Sequence, residues 1–260
     1  MNVEHLIFDL DNTLYPSSGN MDKGITQRMM NFVASFFDVS YEEAVKIRAE
    51  HIRDFSTTLE WLRSEGLSDV ESYFAAVHPP YEADELEENP SLRPFLESIR
   101  IPKIILTNAP SEHAERVLEK LRVRDLFTAV CDIRTSGLLG KPYPQAFRSA
   151  LEKCGGTTEN TLFIDDMKKY TDGFAALGGT AVLTGDKIGH ALNPKSNAVT
   201  KEKPLRQGRT IRIPSVYDLP KLISELSLSD LFFYYLIVIF CLFFKKNSYI
   251  YEGSVNKNFD

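Results

Sequence analysis

Cysteine is scarce in this chain of 260 residues: Cys131, Cys154 and Cys241 make three, an odd number without the close spacing of a metal site. A disulfide framework is thereby excluded as the source of stability, and reduced thiols in a cytoplasmic setting are the expectation. Excess positive charge is missing too, since the net charge is -6, so no general attraction to nucleic acid is expected. At the N-terminus Glu4 and Asp9 stand where a secretory signal would need a basic region followed by an apolar one. No internal repeat is visible. The apolar stretch Leu231 to Phe244 holds 14 uncharged residues before Lys245 and Lys246, short of the roughly 18 to 20 of a spanning helix. It has no amphipathic period and is read as part of an extension outside the fold. Membrane contact, packing on a partner and aromatic β-aggregation all remain open for it.

Alternation of strand and helix is what the chain does have. Leu6 to Phe8, Lys103 to Leu106, Phe127 to Cys131, Thr161 to Ile164 and Thr180 to Leu183 read as strands. Helical patterns near Ser111, over Ala146 to Cys154 and around Ala175 separate them, which implies a parallel sheet covered on both faces. Ser111 is the expected cap of the first of these helices, whose apolar face carries Ala114, Val117, Leu118 and Leu121.

Between the first two strands the period is helical. Ile25, Met29, Val33, Phe36 and Phe37 recur on one face, and Ser40-Tyr41-Glu42-Glu43 is a capping box for a helix running to about Arg53. Further helices are expected over Thr58 to Ser64 and Val70 to Ala76. Residues 16–88 are therefore read as a helical insertion with its own small core, ending at the acidic run Glu82 to Glu88 and Pro90. Residues 1–15 and 89–226 form the α/β core, and 227–260 the extension. The stretch Lys187 to Arg212 is basic but rich in Pro, Gly and Asn and lacks interleaved aromatics. A solvated loop is expected there rather than a nucleic-acid surface.

The first strand ends in Asp9-Leu10-Asp11-Asn12-Thr13-Leu14. Ligands of open α/β sheets bind beyond such carboxyl ends. Two carboxylates this close repel unless a cation lies between them or one holds a proton, and hard oxygen donors suit Mg2+. A calcium loop is disfavoured, because Leu14 occupies the position where that motif needs glycine. A solvated turn is the plain alternative. Thr107-Asn108 offers neutral groups able to hold phosphate oxygens, although Thr-Asn-Ala-Pro is also an acceptable turn. Lys141-Pro142-Tyr143-Pro144 places a cation before a helix whose first position suits Pro144, although an exposed lysine is the commoner case. Asp165-Asp166 repeats the pattern of an apolar strand ending in acids, which would be costly as decoration.

The order acid pair, Thr-Asn, Lys, acid pair is far more specific than any member of it. It resembles the haloacid dehalogenase-like hydrolase superfamily over nearly all of residues 4–184. The resemblance implies an α/β fold, with a Rossmann-like three-layer parallel sheet core and an inserted helical cap. It further implies that Asp9 attacks phosphorus and Asp11 serves as acid and base. Thr107 and Asn108 then orient the phosphate, Lys141 balances charge, and Mg2+ is held by Asp9, the backbone of Asp11, and Asp165 or Asp166. Within the superfamily the pyrimidine 5'-nucleotidase group is most similar. The carrying residues are Phe8-Asp9-Leu10-Asp11-Asn12-Thr13-Leu14-Tyr15-Pro16, Thr57-Thr58-Leu59, Thr107-Asn108-Ala109 and Lys141-Pro142-Tyr143-Pro144-Gln145-Ala146-Phe147. The fourth motif departs from the group, continuing as Met167-Lys168-Lys169-Tyr170 where relatives tend to have Ser and then Asn.

The implied partner is a small phosphorylated metabolite, a nucleotide first of all, read by Thr57, Thr58 and Trp61 of the cap. Trp61, flanked by Leu59 and Leu62, better suits the cap's own core. A sugar-phosphate phosphatase or a phosphomutase would keep the same motifs. A non-enzymatic binding module held at a membrane by residues 231–244 is disfavoured, since every catalytic position is filled.

Overall fold

In the computed structural model, which describes residues 1–16, 19–185 and 207–228, the chain alternates as expected. Strand β1 (His5–Phe8) precedes helices α1 (Asn20–Phe37), α2 (Tyr41–His51), α3 (Thr58–Ser64) and α4 (Val70–Val77). Helix α5 (Leu92–Ser98) leads to β2 (Lys103–Leu106), α6 (Ser111–Lys120), β3 (Val130–Cys131) and α7 (Pro144–Cys154). Then come β4 (Thr161–Asp165), α8 (Lys168–Ala176), β5 (Thr180–Thr184) and β6 (Arg209–Ile213), and residues 219–228 are again helical.

The six strands form one parallel sheet in the order β3-β2-β1-β4-β5-β6. Successive side chains of a strand point to opposite faces, and the two layers divide accordingly. Leu6, Phe8, Ile105, Leu162 and Ile164 pack under α5, α6 and the final helix through Leu96, Val117 and Leu222. Ile7, Ile104, Leu106 and Phe163 face Phe147 of α7 and Phe174 of α8 on the other side. Burial on both faces explains why these strands read as continuous apolar runs. The strand order reverses between β1 and β4, so a crevice opens beyond the carboxyl ends of those two strands.

Helices α1 to α4 gather around a third apolar cluster, in which Met30, Val33, Leu59, Trp61, Leu62 and Phe74 are buried. Three of these helices start on side-chain caps: Ser40 Oγ accepts from Glu43 N–H, Thr57 Oγ1 from Glu60 N–H and Asp69 Oδ1 from Ser72 N–H. Helix α2 stops at His51, short of Arg53.

Several expectations need correction. Ser111 is the first residue of α6, and Pro110, in extended conformation, occupies the cap position. The backbone N–H of Ser111 donates instead to Asp132 Oδ2 at 3.1 Å, an acceptor from beyond β3 that no local pattern announces. The strand expected over Phe127 to Cys131 shrinks to Val130–Cys131, because a 3-10 turn over Arg124–Leu126 delivers the chain late to the sheet edge. The basic stretch is not all loop. Arg209–Ile213 forms β6 on β5, an edge strand in which apolar Ile211 and Ile213 alternate with polar Thr210 and Arg212. Residues 187–206 and the apolar tail 231–244 lie outside the described residues. Among the described residues no helix is long and apolar enough to cross a membrane.

Phe174 is fully buried against Phe147 and Phe163, with ring centroids 5.5 Å apart in both pairs. Phe174→Ala is expected to destabilise the protein by about 3–5 kcal/mol in urea unfolding, with the slope unchanged. A loss below about 1 kcal/mol would contradict this packing.

Candidate active site

The sheet places three of the four motifs at neighbouring strand ends. Asp9 follows β1, Thr107 and Asn108 follow β2, and Asp165 closes β4 with Asp166 next to it. Lys141 differs, because it is not at a strand end. It arrives on the loop after the 3-10 turn Ile133–Ser136 and just ahead of α7, where Pro144 takes the first helical turn.

Lys141 is buried, and its Nζ lies 2.6 Å from Asp9 Oδ1 and 2.7 Å from Asp165 Oδ2. Its approach is shaped by the second motif. Asn108 Oδ1 accepts from Lys141 N–H at 2.6 Å, and Asn108 Nδ2 donates to Lys141 C=O at 2.9 Å. A side chain at position 140 would forbid this clamp, since a Cβ on Gly140 would stand 2.3 Å from Asn108 Oδ1. Asn108 therefore lines the cleft with its amide already engaged by backbone. Thr107 is buried, accepting from Ala109 N–H and approaching Asp11 Oδ2 at 3.4 Å.

Asp9, Asp165 and Asp166 each present a carboxylate oxygen within 4.8 Å of the others. Burial pushes the Asp9 and Asp165 carboxyls upward; Lys141 pulls them down, while Asp11 opposes it at Asp9 and the Asp9 charge at Asp165. Burial alone would lower the Lys141 ammonium, but Asp165 and Asp9 overcome that and keep it charged. One ammonium cannot balance three buried carboxylates, so the donor set, all hard oxygens, fits a divalent cation.

Asp11 sits apart from this group. Its Oδ1 accepts from Tyr15 OH and lies 2.7 Å from His113 Nε2. Burial would raise its pKa, yet the His113 charge and hydrogen bond bring it to about 2. Burial would lower His113, whereas Asp11 and Glu82 raise it to about 9.

Above these groups lies a cleft of about 350 Å3, within the range that small ligands occupy. Arg48, Thr57, Thr58, Tyr73 and Phe74 from the insertion line it, facing Lys169 and Tyr170 of α8. Arg48 Nε donates to Thr58 Oγ1 at 2.9 Å, and Lys169 Nζ donates to Ser56 C=O at 2.8 Å across to the insertion. Trp61 is not brought to the cleft. It is 1% exposed and stacks between Phe37 and His51, in the packing role that Leu59 and Leu62 also suggested.

The sequence reading missed His113, Glu82 and Arg48. His113 stands four residues before Val117 on the buried face of α6, so a histidine on that apolar stripe directly after Thr107-Asn108 was a usable signal. Arg48 carried none, since a charged residue on a short exposed helix is ordinary.

The chain is similar to known proteins over most of its length. The family model described as haloacid dehalogenase-like hydrolase matches residues 3–177. Phosphate metabolism protein 8 of Saccharomyces cerevisiae is 23% identical over 82% of this chain and 70% of its own length. The fold matches a HAD phosphatase from Thermococcus onnurineus with a TM-score of 0.55 at 19% identity, covering 86% of this chain and 98% of that one. It also matches YfnB of Bacillus subtilis, a structure bound to magnesium, with a TM-score of 0.55 at 13% identity, covering 86% and 100%.

Lys141→Met leaves Asp9 and Asp165 buried without their shared cation. It is expected to cost about 3–5 kcal/mol in denaturant unfolding with chelator present. Wild-type stability in that variant would mean that water already reaches the carboxylates.

Proposed function

Because the chain belongs to the haloacid dehalogenase-like hydrolase family, we propose that it is a magnesium-dependent phosphatase of small phosphate monoesters, acting through an aspartyl phosphate on Asp9. The observation that carries this reading is the buried group of Asp9, Lys141, Asp165 and Asp166 at the reversal point of the sheet, with Asp11 two residues beyond the nucleophile.

Asp9 attacks phosphorus, and the ester oxygen leaves as the bond to it breaks. The negative charge of a bound phosphate dianion opposes the pull of His113 and favours the protonated Asp11 carboxyl, which donates its proton to that oxygen and afterwards removes one from the water that hydrolyses the acyl phosphate. Lys141 offsets the negative charge gathered around Asp9 and the transferring group. Asn108 fixes the backbone of Lys141, and Thr107 stands beside Asp11. When bound, Mg2+ held by Asp9, Asp166 and the backbone carbonyl of Asp11 supplies the charge that lets a carboxylate approach a phosphate dianion. Asp165 is assigned a supporting role, because its Oδ2 meets Lys141 and its Oδ1 accepts from Met167 N–H at 2.7 Å.

A pyrimidine nucleoside 5'-monophosphate is the proposed substrate. The motif resemblance supports it, as do the aromatic residues Tyr73, Phe74 and Tyr170 and the hydrogen-bonding residues Thr57, Thr58 and Arg48 along one small cleft. The insertion then acts as the cap that reads the nucleoside, and the cytoplasm is the expected site of action.

Phosphate release from nucleoside monophosphates and sugar phosphates tests this reading. UMP and CMP should be preferred, chelation should stop turnover, and Asp9→Asn should lower it by at least about 1,000-fold. Release from sugar phosphates alone would remove the nucleotide assignment, and no release from any ester would remove the phosphatase.

A further inference from the structure

The acid-base aspartate of the proposed reaction is held by residues outside the four motifs. His113 is fully buried, with Nε2 2.7 Å from Asp11 Oδ1 and Nδ1 2.7 Å from Glu82 Oε1. Oδ1 of Asp11 accepts from Nε2 whether or not Oδ2 carries a proton, and the Glu82 carboxylate accepts from Nδ1, so both ring nitrogens donate. Tyr15 OH donates to the same Oδ1. Among the described residues, Asp11 Oδ2 meets only the long 3.4 Å approach of Thr107 Oγ1. Two donors on one oxygen fix the plane of the carboxylate and leave the other oxygen for proton transfer.

Glu82 is a firm brace. It is fully buried where the chain returns from the helical insertion, and it also meets His78 Nδ1 at 3.0 Å and Arg116 Nη2 at 2.9 Å. A metal ion on His78, Glu82 and His113 is the competing use of this cluster. The guanidinium of Arg116 on Glu82, with that of Arg28 at 3.8 Å, opposes a further cation there.

We infer that His113, braced by Glu82, is a positioning residue that aims Oδ2 of Asp11 at the leaving-group oxygen. The inference rests on the phosphatase reading. It separates two leaving groups: an alkoxide needs the proton that Asp11 delivers, whereas p-nitrophenolate departs without one.

The test compares kcat/KM for an alkyl phosphate and for p-nitrophenyl phosphate in the full chain with Mg2+. Glutamine carries its amide nitrogen about where His Nε2 lies and asparagine about where Nδ1 lies, so each variant keeps one of the two contacts. His113→Asn should lower kcat/KM for the alkyl ester by about 10- to 100-fold and leave the aryl ester within about threefold. His113→Gln, which keeps the Asp11 contact and loses only the brace, should lower kcat/KM for the alkyl ester by less than His113→Asn does and leave the aryl ester within about threefold. Equal losses on the two esters, no loss in His113→Asn, or an alkyl loss in His113→Gln as large as in His113→Asn would overturn the inference. The last outcome would mark His113 as a tie for Glu82 alone. Should neither variant fold, Glu82→Gln decides: a loss confined to the alkyl ester supports the inference, and an equal or absent loss overturns it. A wild-type chain inert toward both esters would instead overturn the phosphatase reading, and this inference with it.

Discussion

A single buried ammonium holds the site together. Lys141 bridges Asp9 and Asp165, the residues that end the two strands between which the sheet order reverses. Without it, two neighbouring parallel strands would each deliver an uncompensated carboxylate to the same buried point, at a cost of several kcal/mol per charge. The surroundings serve that one contact. Asn108 grips the Lys141 backbone, Gly140 leaves room for the grip, and the rings of Phe163 and Tyr170 lie 5.5 and 4.9 Å from Nζ. The charge balance remains negative, which makes the cluster receptive to a divalent cation and gives Asp9, the proposed nucleophile, its setting.

A second electrostatic chain begins at Asp11. It leads from Asp11 through His113 to Glu82 and on to His78, Arg116 and Arg28. Arg28 belongs to α1 of the insertion, and His113 and Arg116 to α6 of the sheet layer. The orientation of Asp11 is thereby linked to how the helical insertion sits on the sheet, the same insertion whose side chains line the cleft. Low dielectric strengthens each of these bonds and makes an unpaired member expensive, so the chain is held as a unit.

How legible this was depends on the range of the interactions involved. Strands buried on both faces announce themselves, and β2 appeared over Lys103–Leu106 as read; helix α3 likewise occupied Thr58–Ser64. The edge strands were harder. β3 is shorter and β6 more regular than their sequences suggest, because a strand with one neighbour has fewer apolar positions to reveal it. Ser111 was misread as a cap since Asp132, distant in sequence, supplies the acceptor that a local rule sought in the serine. Trp61 was a candidate for the cleft as well as for the insertion's own core, which its flanking leucines favoured, and the packing of α3 within the third apolar cluster places it in the core.

The sequence by itself determined the alternation of strands and helices, the positions of the carboxylate pairs, and the family resemblance, because these are written in short-range periodicity and in motifs a few residues long. Tertiary structure decided that Lys141 would reach Asp9 from a loop, that Asn108 would clamp backbone, and that His113 would stand between Asp11 and Glu82. Those are contacts between residues separated by 31 to 132 positions. No local pattern encodes them; strand order and the packing of helices on the sheet bring the partners within hydrogen-bonding distance.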